Sequence, residues 1–184
     1  MKAKGAHVLN AVKVLRSDKA RARTLLPPAL HKYLDERILP SSWYPIADHR
    51  LLLQAVANLL GGVSDASWII MGRGVAQMDL AGIYRPLLRP GDAESSLRMM
   101  SAMWKNAFDT GEVKVAVDGP GRVTIALHDF PVRDGAICAI CGGYIVEIVT
   151  QSIGVEPHVV QERCRARNDH ECVWRVQWQP PPRA

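Results

Sequence analysis

A chain of 184 residues, 48% hydrophobic and 22% charged, is long enough for one well-buried core and too short to promise two, since single domains commonly run to about 100–200 residues. That balance excludes a disordered or fibrous protein, and the lack of an uninterrupted apolar run of spanning length argues against stable membrane insertion. The net charge of +5 is concentrated in residues 1–40, with nine Lys or Arg against three Asp or Glu; no recognition motif interleaves with them, so a solvated helical face is expected and no nucleic-acid partner.

In chain order, Val8, Val12 and Leu15 fall at helical spacing and predict a helix over 6–17. A second helix is expected around Ala20–Leu26, stopped by Pro27 and Pro28, and a third over Ala29–Asp35. Residues 38–45 read as an ordered loop: two prolines remove donors, while Trp43 and Tyr44 supply large bodies that clamp neighbouring helices. Asp48 is the candidate cap of a helix carrying Leu51, Leu52, Ala55, Val56, Leu59 and Leu60, closed by Gly61 and Gly62. Asp65 starts the next helix, in which Gly72-Arg73-Gly74 lacks the third glycine of a dinucleotide fingerprint and predicts close helix packing instead. Asp92 opens a helix with Leu97, Met100, Met103, Trp104 and Phe108 on one stripe. Such a stripe serves as core and also suits a pliable ligand pocket. Strands over 112–117 and 122–127 flank Asp118-Gly119-Pro120-Gly121, a hairpin signal.

All four cysteines lie between Cys138 and Cys172. Ile137, Cys141, Tyr144 and Ile148, together with Cys138, Gly142, Ile145 and Val149, predict a helix apolar on two adjoining faces and largely buried. Two strands, 159–164 and 172–178, flank a turn at Asn168-Asp169. Folding about residue 168 sets Cys164 opposite Cys172, with β-carbons about 4.5–5.5 Å apart. Helices first, then a hairpin, a helix and a hairpin, predict an α+β fold with a small antiparallel sheet of two hairpins separated by a buried helix.

Two cysteine pairs brought together by a helix start and a hairpin suit tetrahedral zinc, three packed thiols suit a core, and Cys138-x-x-Cys141 admits a redox pair. Cys138, Gly143-Tyr144, Cys164 and Cys172 match, in order and spacing, the end of the vinyl-4-reductase domain found in phenol-responsive bacterial regulators, which this chain resembles. The resemblance implies a structural zinc held by three cysteines and a glutamate, and an aromatic effector bound among helices. It also implies a fold shared with haem-based nitric-oxide sensors and vesicle-tethering subunits. Gln161 stands at the glutamate position; Cys141, Glu162 and His170 are the alternative fourth ligands. With Leu39–Pro45, Met71-Gly72-Arg73 and the terminal Cys172-x-Trp174-x-Val176-x-Trp178, the chain also resembles a large bacterial family of uncharacterised paralogues of this size.

No Gly-x-Ser-x-Gly elbow, Walker loop or His-Glu-x-x-His is present, so no enzyme is expected. The reading is a single cytoplasmic domain over 1–178 with a Pro-rich tail over 179–184, acting as a sensor or regulatory domain. Trp68, Met100, Trp104, Phe108 and Tyr144 are the candidate lining for a small apolar or aromatic ligand. Cys138, Cys164 and Cys172, with Cys141, are the candidate metal ligands. A structural zinc is the one cofactor admitted, and a homodimer or protein partner is expected. A ligand-free homodimeric scaffold is the alternative.

Overall fold

The computed structural model describes residues 1–179, so the expected tail lies outside the described residues apart from Gln179. Contacts divide the chain into two units: Met1–Ser67 with Asn106–Thr110, and Trp68–Lys105 with the chain from Gly111 onward.

In the first unit, β1 (Lys2–Lys4) leads into α1 (Gly5–Ser17), which buries Val8, Ala11, Val12 and Leu15 along one stripe as its spacing requires. α2 (Lys19–Leu25) is capped by the Asp18 carboxylate, which accepts from the Arg21 amide at 3.1 Å. The expected third helix breaks into a 3-10 turn at Pro28–Leu30 and a short α3 (Lys32–Asp35), because Pro28 starts the turn and its carbonyl bonds three residues on, to His31. The loop over 38–45 ends in a strand the sequence reading missed, β2 (Trp43–Pro45), which pairs antiparallel with β1. Three residues carry too little alternation to announce a strand; the pairing with β1 defines it. Gly5 makes it feasible, since a β-carbon there would stand 2.1 Å from the Leu39 carbonyl oxygen. α4 (Ile46–Leu59) starts two residues before Asp48, directly after Pro45. Asp48 is therefore no cap; its carboxylate accepts the Tyr33 hydroxyl at 2.6 Å.

The second unit holds most of α5 (Asp65–Ala81) and α7 (Met100–Ala107), all of α6 (Ala93–Arg98) and α8 (Gly135–Ile153), and a sheet of β3 (Glu112–Gly119), β4 (Arg122–His128), β5 (His158–Arg163) and β6 (Cys172–Gln177). The single helix expected over 92–108 is two: at Met99 the ladder tightens, its amide bonding to Ser96 three residues back. The four strands form one antiparallel sheet in the order β3-β4-β6-β5, so the two hairpins join through β4 and β6.

α8 is the centre of this unit. It runs 19 residues and is long and apolar enough to cross a membrane, contrary to the expectation of no such run. Here it is a core helix: Ile145, Ile148 and Val149 are fully buried, each worth about 1.5–3 kcal/mol of removed apolar surface. It crosses α5 backbone to backbone. A β-carbon on Gly72 would stand 2.1 Å from the Ile140 oxygen, and one on Gly143 would stand 2.1 Å from the Ile69 oxygen. Gly72 thus serves the close packing its motif suggested. Glu147 is buried in the contact, held by Arg73 at 3.1 Å, Gln77 at 3.1 Å and Gln151 at 3.0 Å. Those three donors outweigh the burial that would otherwise raise its carboxyl, and hold it below the usual glutamate range.

Candidate metal centre

Three elements deliver the cysteines. α8 begins with Asp134 as its cap, the carboxylate accepting from the Ala136 amide at 3.0 Å, and this fixes Cys138 in the first turn. β5 delivers Cys164 just beyond its end, and β6 opens on Cys172. The sulfurs of Cys138 and Cys172 lie 3.3 Å apart and those of Cys138 and Cys164 3.5 Å apart. All three fall within 4.8 Å of one another and are buried. Thiolates around an ion at about 2.3 Å stand about 3.8 Å from each other, so the two separations from the Cys138 sulfur need only a small expansion to take one.

The connection from β5 to β6 is built around Cys164. Its amide donates to the Asp169 carboxylate at 2.6 Å, and its carbonyl accepts from the Arg167 amide at 2.8 Å and the Asp169 amide at 3.3 Å. Asn168 takes the left-handed conformation, φ 71°, that closes this wrap. The wrap turns the Arg165 amide onto the Cys172 sulfur at 3.4 Å. An amide aimed at sulfur favours thiolate. Cys172 is accordingly held below the usual thiol range, first by the Cys138 thiol that donates to it and then by this amide, while Cys138 is pushed up. Asp169 and the Arg165 amide are positioning groups the sequence reading missed, although Asn168-Asp169 marked the turn that places them.

The expected register holds only next to the turn. Arg163 pairs with Val173, which sums as a fold about residue 168 requires, but a bulge between Gln161 and Arg163 shifts the rest, so Gln161 faces Trp174. Cys164 is past the last ladder pair. The bulge decides the fourth position. Glu162 is turned to Arg175, 3.0 Å away, and His170 is exposed. Cys141 lies outside the group of three, and burial pushes its thiol up to about 12, which leaves Cys138-x-x-Cys141 without the low-pKa thiol a redox pair needs. Gln161 remains: its Nε2 is buried and without a hydrogen-bond partner, while its main-chain oxygen accepts from Arg167.

The candidate ligand-lining residues are dispersed. Trp68, Met100 and Trp104 are buried in the second unit, and Trp104 stands edge-on to Phe130 at 5.0 Å. Tyr144 donates to the buried Asp79 at 3.3 Å, and burial raises its hydroxyl pKa further. Phe108 belongs to the first unit, where it stacks on His7 at 6.3 Å.

No protein-family profile matches the chain, and no curated protein matches it. Solved structures do. A Cs H-NOX mutant carrying 4-cyano-L-phenylalanine at site 5 superposes with a TM-score of 0.72 at 16% identity, over 98% of this chain and 99% of that one. An H-NOX protein from S. oneidensis in the Fe(II)NO ligation state gives 0.71 at 12% identity, over 96% and 99%. A structure solved to modulate haem redox potential through porphyrin distortion gives 0.68 at 16% identity, over 95% and 99%. The chain therefore has the α+β fold of these H-NOX structures. The expectation that zinc was the one cofactor to consider is corrected: proteins of this fold are studied through their haem and their Fe(II) states.

α5 to α8 contain no histidine. On the sheet, His128 is engaged by Glu171 at 2.8 Å, and His158 is exposed. In the first unit His31 contacts the carbonyls of Arg23 and Leu26. Buried His49 faces His7, and burial pushes it down to about 3. The helices of the second unit thus offer no imidazole to hold a haem iron, and their donor set does not fit imidazole-ligated haem.

Proposed function

We propose that this chain is a non-enzymatic sensor or regulatory domain that binds a small ligand among its helices, with its C-terminal sheet tied to α8 by an ion held at Cys138, Cys164 and Cys172. The observation that carries the reading is a fold shared over nearly the whole chain with H-NOX structures, one of them in an Fe(II)NO-ligated state. The resemblance of the cysteine segment to the vinyl-4-reductase domain supports an apolar or aromatic effector, with Trp68, Met100, Trp104 and Tyr144 of the second unit as its candidate contacts. The ion would tie three elements distant in sequence, so its binding free energy would form part of the folding free energy.

The test is a titration of the full chain, following its five tryptophans, with phenols, fatty acids and tetrapyrroles, hemin included. Saturable quenching by one class, or a Soret band that saturates at one hemin per chain, supports a ligand-binding domain and names the ligand. A flat response to every class contradicts it. A ligand-free homodimeric scaffold is the second reading, favoured by Ile69, Ile70 and Met78 exposed along α5. Light scattering that shows a monomer at every accessible concentration contradicts that one.

A further inference from the structure

The fourth position of the cysteine cluster determines which ion it takes. Among the described residues, the His, Cys, Asp and Glu side chains that converge there number three, all cysteines. Each sulfur belongs to a residue no more than 5% exposed, so solvent has little access to supply a fourth donor. What stands beside them is Gln161, the bulge having turned Glu162 outward to Arg175. Its Nε2 is buried and has no hydrogen-bond partner, which leaves it an orphaned donor. A buried amide N–H without an acceptor costs about 1–3 kcal/mol, so its presence calls for a partner. A metal-bound thiolate is such a partner, because it keeps lone pairs that accept from N–H groups. The Arg165 amide already approaches Cys172 in this way, at 3.4 Å.

We infer that the cluster is a three-sulfur site for a thiophilic ion that accepts trigonal coordination, Cu(I) being the physiological example, with Gln161 donating its amide N–H to the Cys138 sulfur and not ligating the ion. The inference rests on the proposed metal centre and specifies its ion. Zinc is four-coordinate in structural protein sites, and this site offers three anionic donors and one neutral amide; thiolates suit both ions, and the lack of a fourth ligand favours Cu(I). Gln161 is a positioning residue here: it orients one ligand and keeps an oxygen donor out.

The experiment uses the full chain, reduced and anaerobic, titrated with Cu(I) and with Zn(II) against chromophoric competitors, for the wild type and for Gln161→Glu, Gln161→Leu and Cys164→Ser. One Cu(I) per chain is expected in the wild type. Gln161→Glu supplies the missing carboxylate and should shift the Zn-to-Cu(I) affinity ratio towards zinc on the order of tenfold or more, while Gln161→Leu should lower Cu(I) affinity by less than about tenfold. Cys164→Ser should lose the ion, and circular dichroism separates that loss from misfolding. Tight stoichiometric zinc in the wild type that Gln161→Leu abolishes would make Gln161 a ligand and overturn the inference while leaving the metal centre standing. Neither ion bound, with Cys164→Ser indistinguishable from wild type, would overturn the metal centre itself.

Discussion

The α5–α8 crossing makes a prediction whose sign depends on geometry alone. A β-carbon on Gly143 would lie 2.1 Å from the Ile69 carbonyl oxygen, and the obstacle is backbone, so no rotamer change relieves it. Ordinary contact lies near 3.4 Å, and the helices must separate by about 1 Å or distort. Overpacking of this kind costs about 1–3 kcal/mol and occasionally more, and the crossing also carries the buried Glu147 bonds, which separation would lengthen. Against this, Gly→Ala inside a helix gains about 1 kcal/mol of propensity. Gly143→Ala should therefore destabilise by a net of up to about 2 kcal/mol, and Gly72→Ala likewise, since its β-carbon meets the Ile140 oxygen at the same distance. Gly74→Ala is the internal control: on the same helix, nothing lies within 4 Å of its β-carbon, so it should stabilise by up to about 1 kcal/mol. Urea unfolding followed by circular dichroism measures all three. If Gly143→Ala and Gly74→Ala shift the midpoint in the same direction, the close crossing is refuted.

His49 is buried neutral in the first unit, with its pKa depressed to about 3 mainly by burial. A depressed histidine contributes stability in full above its unfolded value near 6.5 and loses it as pH falls towards the folded value. Between pH 7.5 and 4 the wild type should lose on the order of 3 kcal/mol that His49→Leu does not, as read from unfolding free energies at several pH values in that range. Parallel curves for the two proteins would contradict this. Glu147→Gln keeps the shape but removes the charge facing Arg73 at 3.1 Å; thermal unfolding should show a loss of about 1–3 kcal/mol, and an unchanged midpoint would rule out a stabilising role. Asp134→Ala removes the cap of α8, for an expected loss of about 1 kcal/mol in the same assay.

Strongly periodic or punctuated segments were legible in the sequence. α1, α5, α8 and the β3–β4 hairpin fall within a few residues of where apolar spacing and Gly or Asp signals place them. What escaped depends on contacts distant in sequence. β2 is defined by pairing with β1 some forty residues earlier, and Asp48 reads as a cap until Tyr33 is seen to claim it. The resemblance to the vinyl-4-reductase domain implied the set Cys138, Cys164 and Cys172, whose sulfurs do converge, yet the fourth position was not legible. A one-residue bulge at Glu162 reverses which of Gln161 and Glu162 faces inward, and period-two reasoning has no means of locating a bulge. The wrap of Asp169 around Cys164 was equally silent, because an Asp in a turn reads the same wherever its carboxylate points.

Native mass spectrometry of the full chain, purified under reducing conditions, tests the proposed centre most directly. The account predicts a mass increase of one metal ion per chain in the wild type, retained in Cys141→Ser and lost in Cys138→Ser and Cys164→Ser, with lower unfolding temperatures accompanying the loss. A wild-type chain that stays at its bare mass after incubation with Cu(I) and with Zn(II), and unfolds at the same temperature as Cys164→Ser, would contradict it.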